Sequence, residues 1–289
     1  MYCQTISEAG MRQISTKVIT AAVKEAAVRA NYELGSDVTD AFRAALEKEQ
    51  SPVGKEIINK LIENAEIARR ERIPICQDTG LAIIFAEIGQ DVNIVGGSFR
   101  DAVEQGIREG YKEGYLRKSV CDPFTRKNTG DNTPVIIHLE LVPGERLTLW
   151  VVPKGGGSEN MSRLFMLPPS AGWKGIKEKV LQTVLEAGPN PCPPTIIGVG
   201  IGGNFEESAI LAKKSLLRHL GAPNPDPELA SKEQELIEEI NKTGVGPQGL
   251  GGRITSLAVH MLVMPCHIAS LPLAVNIQCH ASRHEEIAI

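Results

Sequence analysis

Three cysteines stand where sulfur chemistry is possible: Cys76 in IPICQDTG, Cys192 in PNPCPP, and Cys279 at the end of SLPLAVNIQC. Each lies in a loop interrupted by Pro or Gly, or at the end of an element beside small or polar residues. Such backbone leaves a sulfur reachable and puts N–H groups near enough to stabilise a thiolate, the form that binds metal. Separations of 116 and 87 residues mean that the fold, not a local knuckle, would assemble the ligands. Zinc suits them poorly, because its structural sites usually come as close pairs such as CxxC and none is present. Three thiolates on a four-iron cluster would leave one iron open to act as a Lewis acid. Spacing alone does not separate that reading from buried, inert thiols, since Cys is among the most buried residue types.

The other cysteines are Cys3, Cys121 and Cys266. An even total of six invites a disulfide framework. A chain this long with no export signal speaks against one. Two glycine-rich stretches also need weighing. Gly198, Gly200 and Gly203 match G-x-G-x-x-G between a strand and a helix, the pattern of dinucleotide-binding turns. That fold also wants an acidic residue ending a second strand some twenty positions on, and here helix and LRHLGAPNP follow. Tight packing beside Cys192 is the better account of these glycines. KGGGSEN is not a phosphate-binding Walker loop, because Lys precedes the glycines and no GK[ST] follows.

The bulk composition is ordinary for a globular protein, 42% hydrophobic and 23% charged over 289 residues. It excludes a chain too polar to offset the entropy of folding. A net charge of -4 without a basic run gives no reason to expect nucleic acid as a partner. No apolar stretch approaches the roughly 20 residues that a membrane helix needs. The N-terminus MYCQTISEAGMRQIS lacks a positive segment followed by an apolar core, so a soluble, cytoplasmic protein is expected.

Around these residues the periodicity predicts helices from Met11 to Leu34 and from Asp37 to Glu49. A third is capped by Ser51 with Pro52 at its first position, its inner face formed by Ile57, Leu61, Ala65 and Ala68. LAIIFAEIG reads as a buried strand. Ser98 caps a helix with Val103, Ile107 and Tyr111 inward. TPVIIHLEL and RLTLWVVP, joined by VPGE, read as a β-hairpin. KGGGSEN reads as loop, Lys174 to Ala187 as a helix stopped by Gly188, and TIIGVGIGG as strand then turn. NFEESAILAKKSLLRHL and the segment through Asn241 read as helices, and ITSLAVHMLVMP and SLPLAVNIQC as strands. The class is α/β, mixed β-sheets surrounded by helices, in one domain over residues 1–289.

ICQDTG, KGGGSEN, PNPCPPTIIGVGIGG and PCHIASLPLAVNIQCHASRH, in that order, resemble the N-terminal catalytic domain of class I (iron–sulfur) fumarases. The same domain forms the α subunit of L-tartrate dehydratases. The resemblance covers most of the chain and implies that domain's fold. It implies that Cys76, Cys192 and Cys279 hold a 4Fe-4S cluster with one iron open, and it gives Cys3, Cys121 and Cys266 no metal role. It further implies that Arg117 and Gln77 bind the substrate, that Asp78 handles a proton near the leaving hydroxyl, that His267 reaches the substrate, and that Gly156 touches it. Plainer readings exist for each: Arg117 as a solvated surface residue, Asp78 as an Asx turn, His267 as a satisfied core histidine.

The activity implied is a hydro-lyase interconverting fumarate and (S)-malate, with L-tartrate dehydration as the alternative. A nucleotide-dependent oxidoreductase and a non-catalytic module with inert thiols are the other readings. Fused members of the family carry a second domain with further substrate-binding groups. Here the sequence stops ten residues after Cys279, so a separate β subunit completing the site is expected, on an α homodimer core.

Overall fold

The computed structural model describes residues 11–289; Cys3 lies outside the described residues. In chain order the elements are β1 (Arg12–Ser15), α1 (Thr16–Tyr32), α2 (Ser36–Lys48), α3 (Pro52–Glu71), β2 (Leu81–Gly89), β3 (Val92–Val95) and α4 (Phe99–Glu113). Then come β4 (Ile136–Val142), β5 (Leu147–Lys154), α5 (Gly156–Glu159), β6 (Arg163–Leu167), α6 (Gly172–Ala187), β7 (Thr195–Gly203) and α7 (Phe205–Ser215). The last four are α8 (Pro227–Asn241), β8 (Ser256–Cys266), β9 (Leu271–Gln278) and β10 (Glu285–Ala288). Mixed sheets and helices give the α/β class expected from the pattern. Among the described residues, no helix is long and apolar enough to cross a membrane.

The chain divides into two compact units. The first is made of residues 11–32, Cys76–Pro153 and Arg283–Ile289. Its main sheet has the order β10-β5-β2-β4, and β1 pairs in parallel with β3. Here the structure corrects two expectations. Residues 12–15 extend rather than coil, because Ile14 is buried opposite Ile94. β4 and β5 are not a hairpin: β2 lies between them and pairs with β4 in parallel. α4 starts where Ser98 accepts a hydrogen bond from the Asp101 amide, and its Val103, Ile107 and Tyr111 are fully buried, as the spacing predicts. α1 comes close because Gly106 and Gly110 offer no side chain. A Cβ on Gly106 would stand 2.8 Å from the Thr20 carbonyl oxygen.

The second unit comprises Glu33–Ile75 and Lys154–Ser282. Its sheet runs β6-β9-β7-β8, with β7 parallel to β8 and antiparallel to β9. Ser51 caps α3 by accepting from the Gly54 amide, with Pro52 at the first position. The buried face of that helix carries Ile58 rather than Ile57, together with Ala65 and Ala68. KGGGSEN, predicted as loop, contains the single helical turn α5. All of TIIGVGIGG is strand, and a Cβ on Gly198 or Gly200 would lie 2.1 or 2.0 Å from carbonyl oxygens of Ala212 and Ser208 in α7. These glycines are where a helix lies directly on a strand. Gly200→Ala is therefore expected to destabilise by about 2–4 kcal/mol, more than a Gly→Ala change at open Gly221, read by denaturant unfolding.

Glu49, 1% exposed, ends α2 with its carboxylate accepting from the backbone amides of Gln50, Ser51, Arg253 and Ile254 at 2.8–3.0 Å. Burial works to raise its pKa, and those amides outweigh it, holding the carboxyl below the ordinary 4.5. A folded-state pKa below the unfolded one stabilises fully above the unfolded value and less as pH falls through the folded one. Glu49→Gln should lower stability at pH 7 by about 1–3 kcal/mol and flatten its decline below pH ~4.5, seen by urea unfolding across pH.

Candidate functional site

In the first unit the loop carrying Cys76, Gln77 and Asp78 is pinned by its own backbone and by buried side chains. The Asp78 amide points at the Cys76 sulfur at 3.4 Å, and the thiol reaches the Gln77 amide oxygen at 3.3 Å. Asp78 Oδ1 accepts from the Gly80 amide at 3.0 Å, so the Asx turn is present. Three further groups take the loop's carbonyls. The Tyr111 hydroxyl donates to those of Thr79 and Gly80 at 2.7 and 3.1 Å, Asn132 Nδ2 to that of Gly80 at 3.2 Å, and Arg283 Nη2 to that of Asp78. Thr79 Oγ1 bonds the Arg117 carbonyl at 2.8 Å, which sets Arg117 beside the loop with its side chain exposed.

Tyr111 is held un-ionised: burial pushes its pKa up, the nearby Arg283 charge opposes that, and Asp78 adds to it. Its role here is that of a fixed donor to carbonyls that no strand ladder reaches.

In the second unit Cys192 and Cys279 sit on adjoining loops. The His280 amide donates to the Cys192 carbonyl at 3.3 Å, and His280 Nδ1 lies 3.1 Å from the same oxygen. Gln248 takes the next carbonyl, Pro193, with both its backbone amide (2.8 Å) and its side chain (2.7 Å). Cys192 is exposed and holds φ at +57°, a conformation uncommon for a residue with a side chain. Gly157 approaches this loop too: a Cβ there would lie 3.4 Å from the Asn190 carbonyl oxygen. Gly156, exposed, starts the same helical turn.

Behind Cys279 lies a buried charge cluster. Lys154 Nζ donates to Ser158 Oγ and to the Ile277 carbonyl, both at 2.8 Å, and stands 3.3 Å from Glu159, which also pairs with Lys213. Asn276 Nδ2 donates to Glu159 at 3.1 Å. Burial pulls the Lys154 ammonium down to about 8, against Glu159 and the Cys279 thiol, which raise it. Burial would raise Glu159, but the two lysines hold it below the usual carboxylate range.

His267 is exposed in the turn between β8 and β9, where its Nδ1 accepts from the Ala269 amide at 3.1 Å. Its hydrogen bonds are with its own turn, and it is no core histidine. Cys266 bonds the Ser270 carbonyl in that turn. Sequence reasoning missed Asn132, Lys154, Arg283 and His280 as groups that hold the site. The last two stand in the CHASRH stretch already singled out, which was the available signal.

The donor chemistry fits an iron–sulfur cluster at each predicted ligand. Cys76 and Cys279 are partly exposed, Cys192 is exposed, and an N–H or a cation accompanies the sulfurs of Cys76 and Cys279. The irregular backbone at Cys76 and at Cys192 has carbonyls taken by side chains from elsewhere in the chain.

Residues 20–288 match the family model described as fumarate hydratase (fumerase). Among similar proteins, one from Methanocaldococcus jannaschii, provisionally named L(+)-tartrate dehydratase subunit alpha, is 42% identical over 274 residues, covering 92% of this chain and 94% of that protein. L(+)-tartrate dehydratase subunit alpha of Escherichia coli strain UTI89 is 30% identical, covering 98% and 94%. The protein of the same name in strain K12 is 29% identical over the same shares.

Tyr111→Phe removes the donor to both Thr79 and Gly80. It should cost about 1–3 kcal/mol in denaturant unfolding and speed alkylation of Cys76 in the metal-free chain, followed on the Cys76 peptide by mass spectrometry. Unchanged stability and labelling would mean that the loop keeps its shape without that hydroxyl.

Proposed function

This chain belongs to the fumarate hydratase family, and on that premise we propose that it is the α subunit of an iron–sulfur hydro-lyase acting on a four-carbon dicarboxylate. The observation that carries the reading is the family match over residues 20–288, which takes in all three cysteine loops. Cys76, Cys192 and Cys279 would hold a 4Fe-4S cluster. When bound, the cluster supplies a Lewis acid at its open iron, which makes a hydroxyl a better leaving group.

The chain's own residues have the remaining work. Arg117, exposed beside the Cys76 loop, grips a substrate carboxylate with its planar fork, and Gln77 adds an amide contact. Asp78 holds a proton close to the leaving hydroxyl, on a loop whose carbonyls are tied down so that the carboxyl is held in place. His267 is presented at a turn tip, free of the core, to reach the substrate. Gly156 lets backbone approach it closely, for want of a Cβ. Elimination also needs a base at the carbon next to a carboxylate. We assign that base, and the grip on the second carboxylate, to a separate β subunit, on the support that the relatives are named as alpha subunits. The whole is built on an α homodimer core.

Two substrates compete. The family description carries fumarate, and the relatives' names carry L(+)-tartrate, which is supported at least as well. Both are tested in one experiment: the chain is purified without oxygen, alone and with its partner, and assayed with fumarate, (S)-malate and L-tartrate. Turnover of one diacid is expected only with the partner present. Iron and acid-labile sulfide approaching about four each per chain are expected, lost in Cys76→Ala, Cys192→Ala and Cys279→Ala and kept in Cys266→Ala. A colourless chain that resists cluster reconstitution sinks the proposal, and full activity from the chain alone removes the β subunit from it.

A further inference from the structure

Arg283 follows Cys279 by four residues and belongs to the first unit. It is 3% exposed. A guanidinium is always charged and carries donors on three nitrogens. Nη2 is used, on the Asp78 carbonyl. Nε and Nη1 are buried and have no hydrogen-bond partner among the described residues. Buried donors of a cation are the polar groups least tolerated without an acceptor, and native structures answer them with an ordered water, an ion or a ligand. The neighbours do not serve. The Tyr111 hydroxyl is committed to Thr79 and Gly80, and Asp78 Oδ1 takes the Gly80 amide.

We propose that the Nε–H and Nη1–H donors of Arg283 hold an anionic acceptor belonging to the assembled site, next to the Cys76–Gly80 loop. The inference rests on the hydro-lyase reading. The acceptor chemistry has two sources, a carboxylate of the diacid or a sulfur of the cluster. Arg283 would thereby join Arg117 and Asp78 in the site, and its bond to the Asp78 carbonyl would be the brace that aims it.

The test uses the chain with its partner, purified without oxygen, as wild type, Arg283→Gln and Arg283→Lys. Gln keeps a donor for the Asp78 carbonyl and loses the charge; Lys keeps the charge and loses the fork. Succinate, a four-carbon diacid that can be neither hydrated nor dehydrated, is the binding probe, measured by calorimetry. Iron, sulfide and the electron paramagnetic resonance spectrum of the reduced protein are recorded beside it.

A carboxylate acceptor predicts succinate binding at least tenfold weaker in Arg283→Gln, partly recovered in Arg283→Lys, with iron content and spectrum unchanged. A sulfur acceptor predicts a changed spectrum and lower iron retention with the same order among variants. Arg283→Gln within twofold of wild type in affinity and iron, with the same spectrum, overturns the inference and leaves the hydro-lyase reading intact. If Arg283→Gln does not fold, Arg283→Lys decides by the same criterion. A wild type without iron whose succinate affinity still falls in the variants sinks the cluster reading and keeps this one. Without iron and without that fall, both are lost.

Discussion

Irregular backbone that is buried must find partners for its carbonyls outside any strand ladder, and both cysteine-bearing regions are shaped by that demand. In the first unit, Tyr111, Asn132 and Arg283 take the carbonyls of Asp78, Thr79 and Gly80. In the second, His280 and Gln248 take those of Cys192 and Pro193. Remove the acceptors and the buried donors Tyr111, Asn132 and Arg283 lose partners; remove the donors and the loops lose bonds that hold their shape. The helices and sheets can be read as the scaffold that delivers these side chains. α4 is buried along Val103, Ile107 and Tyr111, and its last buried residue is the one whose hydroxyl reaches the loop.

How far the sequence discloses this depends on the range of the interaction concerned. Caps are local: Ser51 and Ser98 each bond an amide three residues on, and both helix starts are legible in the chain. Gly188 ends α6 with φ at +51° for an equally local reason. β4 and β5 mislead because their turn chemistry suits a hairpin while the pairing is decided by β2, a strand some fifty residues upstream that lies between them. Arg12–Ser15 carries too little apolar pattern to betray a strand. The positions of Cys76, Cys192 and Cys279 in Pro/Gly loops were plain, since those residues break periodicity where they stand. Arg283 and Lys154 were not, because a buried cation is recognised by carbonyls far away in sequence, and no spacing rule encodes those.

The glycines of β7 show the same separation of pattern from cause. Taken as a string, GVGIGG matches a nucleotide-binding turn. In the fold, Gly198 and Gly200 lie within the strand, and the carbonyls of α7 occupy the space a side chain would need. A turn that cradles phosphate must present its amides to a ligand, whereas those of Gly198 and Gly200 lie in a strand paired on both sides, by β8 and β9. The strand spends its glycines on close packing, which keeps β7 rigid between Cys192 at one end and α7 at the other.

Charge placement gives the last constraint. Arg283 bonds the carbonyl of Asp78, two residues after Cys76, and Lys154 bonds the carbonyl of Ile277, two residues before Cys279. Each unit thus seats a buried cation on the backbone beside one cysteine. Burying a cation is unfavourable unless negative charge answers it. Glu159 supplies that answer for Lys154, and Glu159 and Cys279 both raise its pKa against the pull of burial. For Arg283, the bond from Nη2 is to a dipole, the Asp78 carbonyl, and Nε and Nη1 are buried without a hydrogen-bond partner among the described residues. A thiolate, a sulfide or a substrate carboxylate arriving at such a place meets charge already paid for in folding, which is what preorganisation means for an anionic site.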